Sequence, residues 1–378
     1  MNLADRTTIK EYVFARLAKQ VAKVEEQTGR KVLNLGVGSP DVSPSSIYIQ
    51  KVQEFYAESK NHLYPGYGAN QEFIKAIQSW HKIRFATELE ADQCTIVNGS
   101  KDAVSHLNMS ILNPGDEALV PDPGYPGFSG TIELIGAKSV YYDLVGKNGF
   151  KPDLAQLQSL VTAKTKLIWL NFPSNPTGQI ATRNELQSYV DFAVKNKIWL
   201  LYDNAYSEIY FGHDKPLSIL EISGANEVAV ELHSFSKSFS FAGYRMGWVV
   251  GNAQLIKGLE VIKSQVDSGM SLPLQKLGTY ALLNPDYDWL ENIRKTYVQR
   301  QIIIADYLQK LGLTFELPQA SLYIWAKIPE KYSDAEEYSS EVLTTKQILL
   351  TPGTAFGKNG SRYIRASICS DISNLQDY

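Results

Sequence analysis

Cysteine is scarce in this chain, with two residues, Cys94 and Cys369, among 378. They lie far apart and form no CxxC pair, which argues against a disulfide framework and for buried thiols in a reducing compartment. The five histidines (62, 81, 106, 213 and 233) show no metal-ligand spacing, so no metal site is expected. No apolar run reaches the ~18 residues that suggest a membrane-spanning helix. The first ten residues, Met1 to Lys10, have no apolar core like that of a secretory leader. The cytoplasm is therefore the expected location. Charge of one sign is lacking too. A net charge of −3, from 37 basic and 40 acidic residues, gives no general attraction to nucleic acid or an anionic membrane. What is present is an ordinary globular composition, 44% hydrophobic and 20% charged. The chain is longer than one compact core usually requires, so a large and a small lobe are expected.

Val13, Leu17, Val21 and Val24 recur at helical spacing, predicting a helix over residues 9–27 with Gly29 as its stop. A short strand at Val32 then runs into the turn Gly36-Val-Gly38-Ser-Pro40. A second helix is expected over 70–86. Seven strand-like runs follow: Cys94–Asn98, Ala118–Pro121, Ser139–Tyr142, Leu167–Asn171, Ile198–Asp203, Val228–His233 and Met246–Val250. Between them lie helical stretches at 101–112, 125–135 and 183–196. Continuous apolar strands alternating with helices predict an α/β fold with a mostly parallel sheet covered on both faces. Two long helices are predicted over 253–283 and 287–311. Strand-like runs at Ser321–Lys327, Gln347–Leu350 and Arg362–Ser367 predict a smaller α+β lobe.

The chemistry concentrates in Ser234-Phe-Ser-Lys237-Ser-Phe-Ser-Phe-Ala-Gly243-Tyr-Arg245-Met-Gly247. A lysine amine can form a Schiff base with a carbonyl cofactor. Hydroxyls and an arginine can hold a phosphate, and glycines allow close backbone approach. A phosphorylated aldehyde, pyridoxal phosphate, fits all three; a Ser/Gly-rich surface loop is the blander alternative. In Tyr202-Asp203-Asn-Ala-Tyr206 an apolar strand delivers an acid at its carboxyl end, where α/β sheets place ligands. Asp203 could pair with a protonated pyridine nitrogen, or it could only cap the next turn, with Tyr206 in the core. Asn175, in Pro173-Ser-Asn-Pro-Thr-Gly178, is held in a stiff loop that can aim it at a ligand. Ser100 and Lys101 stand at a helix start, which favours a phosphate, though Ser100 alone could be a simple cap. Tyr125 is a candidate lid over a flat ring, or turn packing. Arg365 lies in an apolar run, where an unpaired guanidinium is costly. It therefore requires a carboxylate, either a substrate's or a structural partner's. Arg362 is expected in a structural ion pair or in solvent.

In the order Asn-Pro-Thr-Gly, Asp-x-x-Tyr, Ser-x-Ser-Lys with arginine eight later, then a C-terminal arginine, the chain resembles the class I/II aminotransferases of pyridoxal phosphate fold type I. The resemblance runs from Leu33 to Arg365. It implies a large domain at 45–285, built on a mostly parallel seven-stranded sheet, and a small α+β domain from 1–44 and 286–378. It implies that Lys237 binds the cofactor and shuttles the proton between substrate Cα and cofactor C4′. Asp203 would pair with the ring nitrogen, Asn175 and Tyr206 would contact the ring hydroxyl, and Tyr125 would stack on the ring. Ser100, Lys101, Ser234, Ser236 and Arg245 would hold the phosphate. Arg365 would take the substrate α-carboxylate, aided by Asn175 and backbone near Gly38. Tyr64 would reach the phosphate of a neighbouring subunit, making the active unit a homodimer. Within the family the look is towards LL-diaminopimelate, alanine and aspartate aminotransferases. The phrases responsible are Tyr64-Pro-Gly-Tyr-Gly68, Gly99-Ser-Lys101, Asp122-Pro-Gly-Tyr-Pro126 and Asp267-Ser-Gly269.

The implied reaction is ping-pong transfer of an amino group from an L-amino acid, such as LL-diaminopimelate, to a 2-oxo acid such as 2-oxoglutarate or pyruvate. Aspartate or alanine donors, or C–S β-lyase chemistry on the same fold, are the alternatives. No residue stands out as the reader of a distal carboxylate; Arg16 and Arg84 are candidates by type only. The chain departs from the family at Gln319-Ala-Ser-Leu-Tyr323-Ile-Trp325, which lacks the usual paired glycines. It also runs only briefly past Arg365, so a small lobe without its usual closing helix is expected.

Overall fold

The computed structural model describes residues 3–8, 13–373 and 375–378. After a two-residue strand, β1 (Leu33–Asn34), come the seven strands of a central sheet. They are β2 (Cys94–Val97), β3 (Glu117–Asp122), β4 (Lys138–Asp143), β5 (Thr165–Asn171), β6 (Trp199–Asp203), β7 (Ala229–Ser234) and β8 (Gly247–Gly251). Their order across the sheet is β2-β8-β7-β6-β5-β3-β4. Every pairing is parallel except the two made by β8. The expected mostly parallel α/β sheet is present.

Alternation along each strand sends neighbours to opposite faces, and both faces are buried. On β5, Leu167 and Trp169 join Leu201, Val230 and Val249 in one core, while Ile168 and Leu170 join Leu200, Tyr202 and Trp248 in the other. Four early helices are α1 (Val13–Thr28), α2 (Ser46–Ala57), α3 (Gln71–Phe85) and α4 (Ser100–Ile111). Helix α3 brings Phe73 and Ile77 to one core, and α4 brings Val104 and Leu107 to the other. Asn70 starts α3 by accepting the Phe73 amide at 2.7 Å. The first residues of the helix expected over 9–27, residues 9–12, lie outside the described residues.

One expectation fails. Residues 253–283 do not form a single helix; they form two, Ala253–Ser264 and Leu272–Leu283. Polar side chains draw the intervening turn out of the helix. The buried Lys263 amine binds Asp267 at 2.5 Å and Asp102 at 3.3 Å. Asp267 also accepts from the Gly269 amide at 2.8 Å and from the Asn98 side chain at 3.2 Å. Gly269 has φ +98°, and a Cβ there would fall on the Gly66 carbonyl. Asp-Ser-Gly therefore satisfies its own backbone outside a helix.

The last part of the chain carries β9 (Tyr323–Lys327), β10 (Ile348–Leu349), β11 (Thr351–Pro352) and β12 (Tyr363–Ser367). Three of these form the antiparallel order β11-β12-β9, while β1 pairs in parallel with β10. Segments from near both ends of the chain thus meet. Leu35, Ile293, Tyr297, Ile304, Ile324 and Ile364 share one core. Leu375 is buried in the same core, and the Tyr378 hydroxyl donates to the Lys31 carbonyl at 3.1 Å. These contacts tie Leu375 and Tyr378 to that core. The helix Ala335–Lys346 was not anticipated.

Candidate active site

Strands β5, β6 and β7 end side by side, with Asn171 in register with Asp203 and Ser234 at the end of β7. A cavity of about 430 Å³ opens at this carboxyl edge. Of the residues expected to form the site, Gly38, Ser100, Lys101, Tyr125, Asn175, Asp203, Tyr206, Ser234, Ser236, Lys237, Arg245 and Arg365 all line it.

Among the described residues, Asp203 is the one acidic side chain in this lining. Burial raises its carboxyl to about 6, opposed by the Ala205 amide at 3.1 Å and by the charges of His233 and Lys237. The cap reading of Asp203 is therefore also present, through Ala205, but leaves a buried acid facing the cavity. The Lys237 amine donates to the Gly38 carbonyl and lies 5.8 Å from the centre of the Tyr206 ring. Asn171 locks the loop beyond β5: its amide donates to the Asp203 carbonyl at 2.8 Å, and its oxygen accepts the Asn175 amide at 2.7 Å. The peptides preceding Pro173 and Pro176 are cis. With its amide held by Asn171, Asn175 faces inward, where its side-chain oxygen accepts from Arg365 at 2.9 Å. Tyr125 packs edge-on against Phe128, ring centres 5.4 Å apart.

At the other end of the cavity, cations gather at the start of α4. Arg245 donates to the Ser236 hydroxyl at 3.3 Å, and Ser234 caps the turn by accepting the Ser236 amide at 3.2 Å. Burial, and then the neighbouring Arg245 charge, lower the Lys101 amine below its ordinary value. Gly99, with φ +90°, has no side chain to cap α4, and a Cβ there would fall on the Arg245 guanidinium. Two cations, hydroxyls and a helix start converge here, and the one acid of the first turn of α4, Asp102, is outside the lining and engaged by Lys263 and the Asn98 amide; this is the donor set a phosphate requires.

Arg365 is 2% exposed and makes no ion pair among the described residues. Its guanidinium donates to Asn175 and to the Gly36 carbonyl at 2.6 Å, while the buried Nε has no partner. The structural-partner alternative for Arg365 thus finds no carboxylate. Arg362 instead binds Glu330 at 3.3 Å and nearby carbonyls, as expected. Neither candidate for a distal-carboxylate reader lines the cavity. Arg84 is taken up by Glu208 at 3.0 Å, and Arg16, largely exposed, lies 3.8 Å from Glu336.

Two cavity residues escaped the sequence reading. Phe14, on α1, lies 5.3 Å from the Arg365 guanidinium carbon and packs on Phe356. Tyr323 opens β9, its hydroxyl 2.9 Å from that of Tyr206. The departure at 319–325 marked the stretch that holds Tyr323 without singling that residue out; α1 gave no signal for Phe14 beyond its periodicity. Tyr64 is absent from the cavity and 89% exposed.

A buried acid at a strand end, a lysine beside it and an acid-free phosphate cradle fit pyridoxal phosphate, and the unpaired Arg365 fits a substrate carboxylate. The comparisons agree. The family model for aminotransferase class I and II matches residues 30–377. The LL-diaminopimelate aminotransferase of Aquifex aeolicus is 37% identical over 365 residues, covering 96% of this chain and 94% of that protein. The LL-diaminopimelate aminotransferase of Halothermothrix orenii is 36% identical over 370 residues, covering 97% and 94%. Among solved structures, apo-BacF from Bacillus subtilis superposes with a TM-score of 0.95 at 31% identity, covering 100% of this chain and 96% of that one. The chain belongs to the class I and II aminotransferases, enzymes that work with pyridoxal phosphate.

Proposed function

We propose that this aminotransferase moves the amino group of an L-amino acid to a 2-oxo acid by a two-half, ping-pong sequence, with LL-diaminopimelate and 2-oxoglutarate as the first pair to test. The substrate reading rests on the names of the curated relatives. The observation that carries the chemistry is Arg365, a buried guanidinium that makes no ion pair among the described residues, in the same cavity as Lys237. A substrate α-carboxylate supplies the missing charge in a bidentate pair.

Bound here, pyridoxal phosphate supplies a carbonyl for the substrate amine and a ring that holds the electron pair left when the α proton departs. Lys237 takes that proton from the substrate Cα and returns it at the cofactor's C4′. The Asp203 carboxylate keeps the ring nitrogen protonated. Tyr206 and Asn175 hold the ring hydroxyl, and Tyr125 covers the ring face. Ser100, Lys101, Ser234, Ser236 and Arg245 anchor the phosphate. Arg365, with the backbone near Gly38, orients the substrate so that its Cα–H bond faces Lys237.

The active unit in this reading is a homodimer in which Tyr64 completes the neighbouring cradle. Its support is that Tyr64 lies outside the Lys237 cavity of its own chain and stands with Leu63, Tyr67 and Val266 among the exposed apolar side chains. Residues 45–285 form the large unit, and 1–44 with 286–378 the small one. The location is cytoplasmic; the two thiols are buried and unpaired, and no helix among the described residues is long and apolar enough to cross a membrane.

Lys237→Ala is expected to abolish turnover while leaving a folded dimer, checked by single-turnover assay and sedimentation. Full activity in that variant defeats the assignment. Release of ammonia and pyruvate without any amino acceptor turns the reading to a C–S β-lyase.

A further inference from the structure

Tyr323 is 2% exposed, and the roles assigned so far leave it without one. Its ring lies 4.0 Å from the Arg365 guanidinium carbon, and its hydroxyl is 2.9 Å from that of Tyr206. Room for the hydroxyl comes from Gly38, where a Cβ would fall on it. The carbonyl of that same glycine accepts from Lys237. One side chain therefore touches the residue assigned to the substrate carboxylate and the residue assigned to the ring hydroxyl, and packs on the glycine that holds the lysine.

Proton counting gives the pair a direction. A phenol has a single proton to donate. If Tyr206 gives its proton to Tyr323, none remains for the ring oxygen of the cofactor. If Tyr323 donates instead, Tyr206 accepts from it and gives its own proton onward, and each bond strengthens the next. Tyr206 stays protonated in this surrounding, since burial holds its phenol well above the ordinary value. The ring of Tyr323 does separate work. A guanidinium resting on an aromatic face is attracted to it, and this fixes Arg365 alongside its bonds to Asn175 and Gly36.

We propose that Tyr323 is a positioning residue with two separable functions: its hydroxyl directs the Tyr206 proton to the ring oxygen of the cofactor, and its ring holds Arg365 in place for the substrate carboxylate. The inference rests on the roles proposed above for Tyr206 and Arg365.

Two variants separate the functions, measured on the cofactor-loaded enzyme. Tyr323→Phe removes only the hydroxyl. The pH midpoint of the visible band of the lysine-bound cofactor is expected to rise by roughly 0.5–1 unit, the scale of one neutral hydrogen bond. Its sign follows from the ring oxygen, which holds the shared proton more tightly once its Tyr206 donor weakens. The charged groups facing the pair, Arg365, Asp203 and Lys237, are the same in both proteins. Binding of propionate, a carboxylate with no amine to react, is expected to stay within about twofold of wild type, since the stacked ring remains. Tyr323→Leu removes the ring as well, and propionate is expected to bind roughly tenfold more weakly. A midpoint that stays put or falls in Tyr323→Phe overturns the hydroxyl's function. Unchanged propionate affinity in a folded Tyr323→Leu overturns the ring's, and should the leucine variant unfold, a tenfold loss of propionate in Tyr323→Phe overturns it too. A wild type that forms no visible band overturns the cofactor roles themselves, a result distinct from a normal wild type with unresponsive variants.

Discussion

Asp203 carries the sharpest electrostatic demand in the cavity. Its carboxyl is raised to about 6 by burial, against 3.8 for an ordinary aspartate. The sign of the resulting pH dependence follows directly. Near neutral pH the group is ionised and ready to pair with a protonated ring nitrogen; below about 6 it takes up a proton before cofactor can bind. Pairing with the ring pulls the carboxyl back down, so binding below that pH expels a proton and weakens by up to roughly tenfold per pH unit. Asp203→Asn is expected to bind pyridoxal phosphate more weakly at pH 7.5 and to lose this part of the pH dependence. Titration of the visible band in wild type and variant from about pH 5 to pH 8 checks it; what dependence the two share belongs to the phosphate. Residues of this kind were legible, because an acid at the end of an apolar strand and an arginine inside one each conflict with their surroundings. Tyr323 and Phe14 were not. An aromatic residue in an apolar run reads as core, and only the fold brings Tyr323 against Tyr206, 117 positions away.

At the scale of elements, the site is a set of ends. Strands β5, β6 and β7 stop at one edge, and each hands over a polar side chain as it leaves the sheet. The start of α4 faces them. Gly99 matters there for two reasons: its φ of +90° disfavours any side chain, and its missing Cβ leaves space for Arg245. Gly99→Ala is expected to weaken cofactor binding by roughly tenfold or more, with the helical circular dichroism little changed, since the strain falls at the cap. Equal affinity in wild type and variant would mean that Arg245 does not sit in the phosphate cradle. Strand positions were readable to within two residues because both faces of the sheet are apolar and turn residues bracket each run. The helix break at 265–271 was missed for the opposite reason. Its apolar period continues across the gap, and the polar contacts that open it involve Asp102 and Asn98, far away in sequence.

For the whole molecule, segments far apart in sequence, β1 and β10, pair with each other, and α1 brings Phe14 to the cavity. The end of β3 is also tied to the C-terminal segment at Asp122, whose carboxylate accepts the Lys358 and Asn359 amides at 3.2 and 3.0 Å. Such long-range closures are invisible to local periodicity; from the sequence, the segments 1–44 and 286–378 joined the site only through the resemblance, at Gly38 and Arg365. If Tyr64 completes the neighbouring cradle, a site needs residues from two chains. Mixing inactive Lys237→Ala with weakened Tyr64→Ala then creates hybrid dimers in which one site is whole. Activity of the reassorted mixture is expected to exceed the sum of its separate components. A strictly additive result would place Tyr64 outside catalysis.

The most direct test of the account loads the protein with pyridoxal phosphate and adds LL-diaminopimelate, aspartate, glutamate and alanine in turn, without an acceptor. The visible spectrum, released 2-oxo acid and ammonia are recorded for wild type and Lys237→Ala. The account predicts that at least one donor bleaches the wild-type band with stoichiometric 2-oxo acid and no ammonia, that 2-oxoglutarate or pyruvate restores the band, and that Lys237→Ala does neither. A wild-type band that no donor alters, or one whose loss releases ammonia, would contradict it.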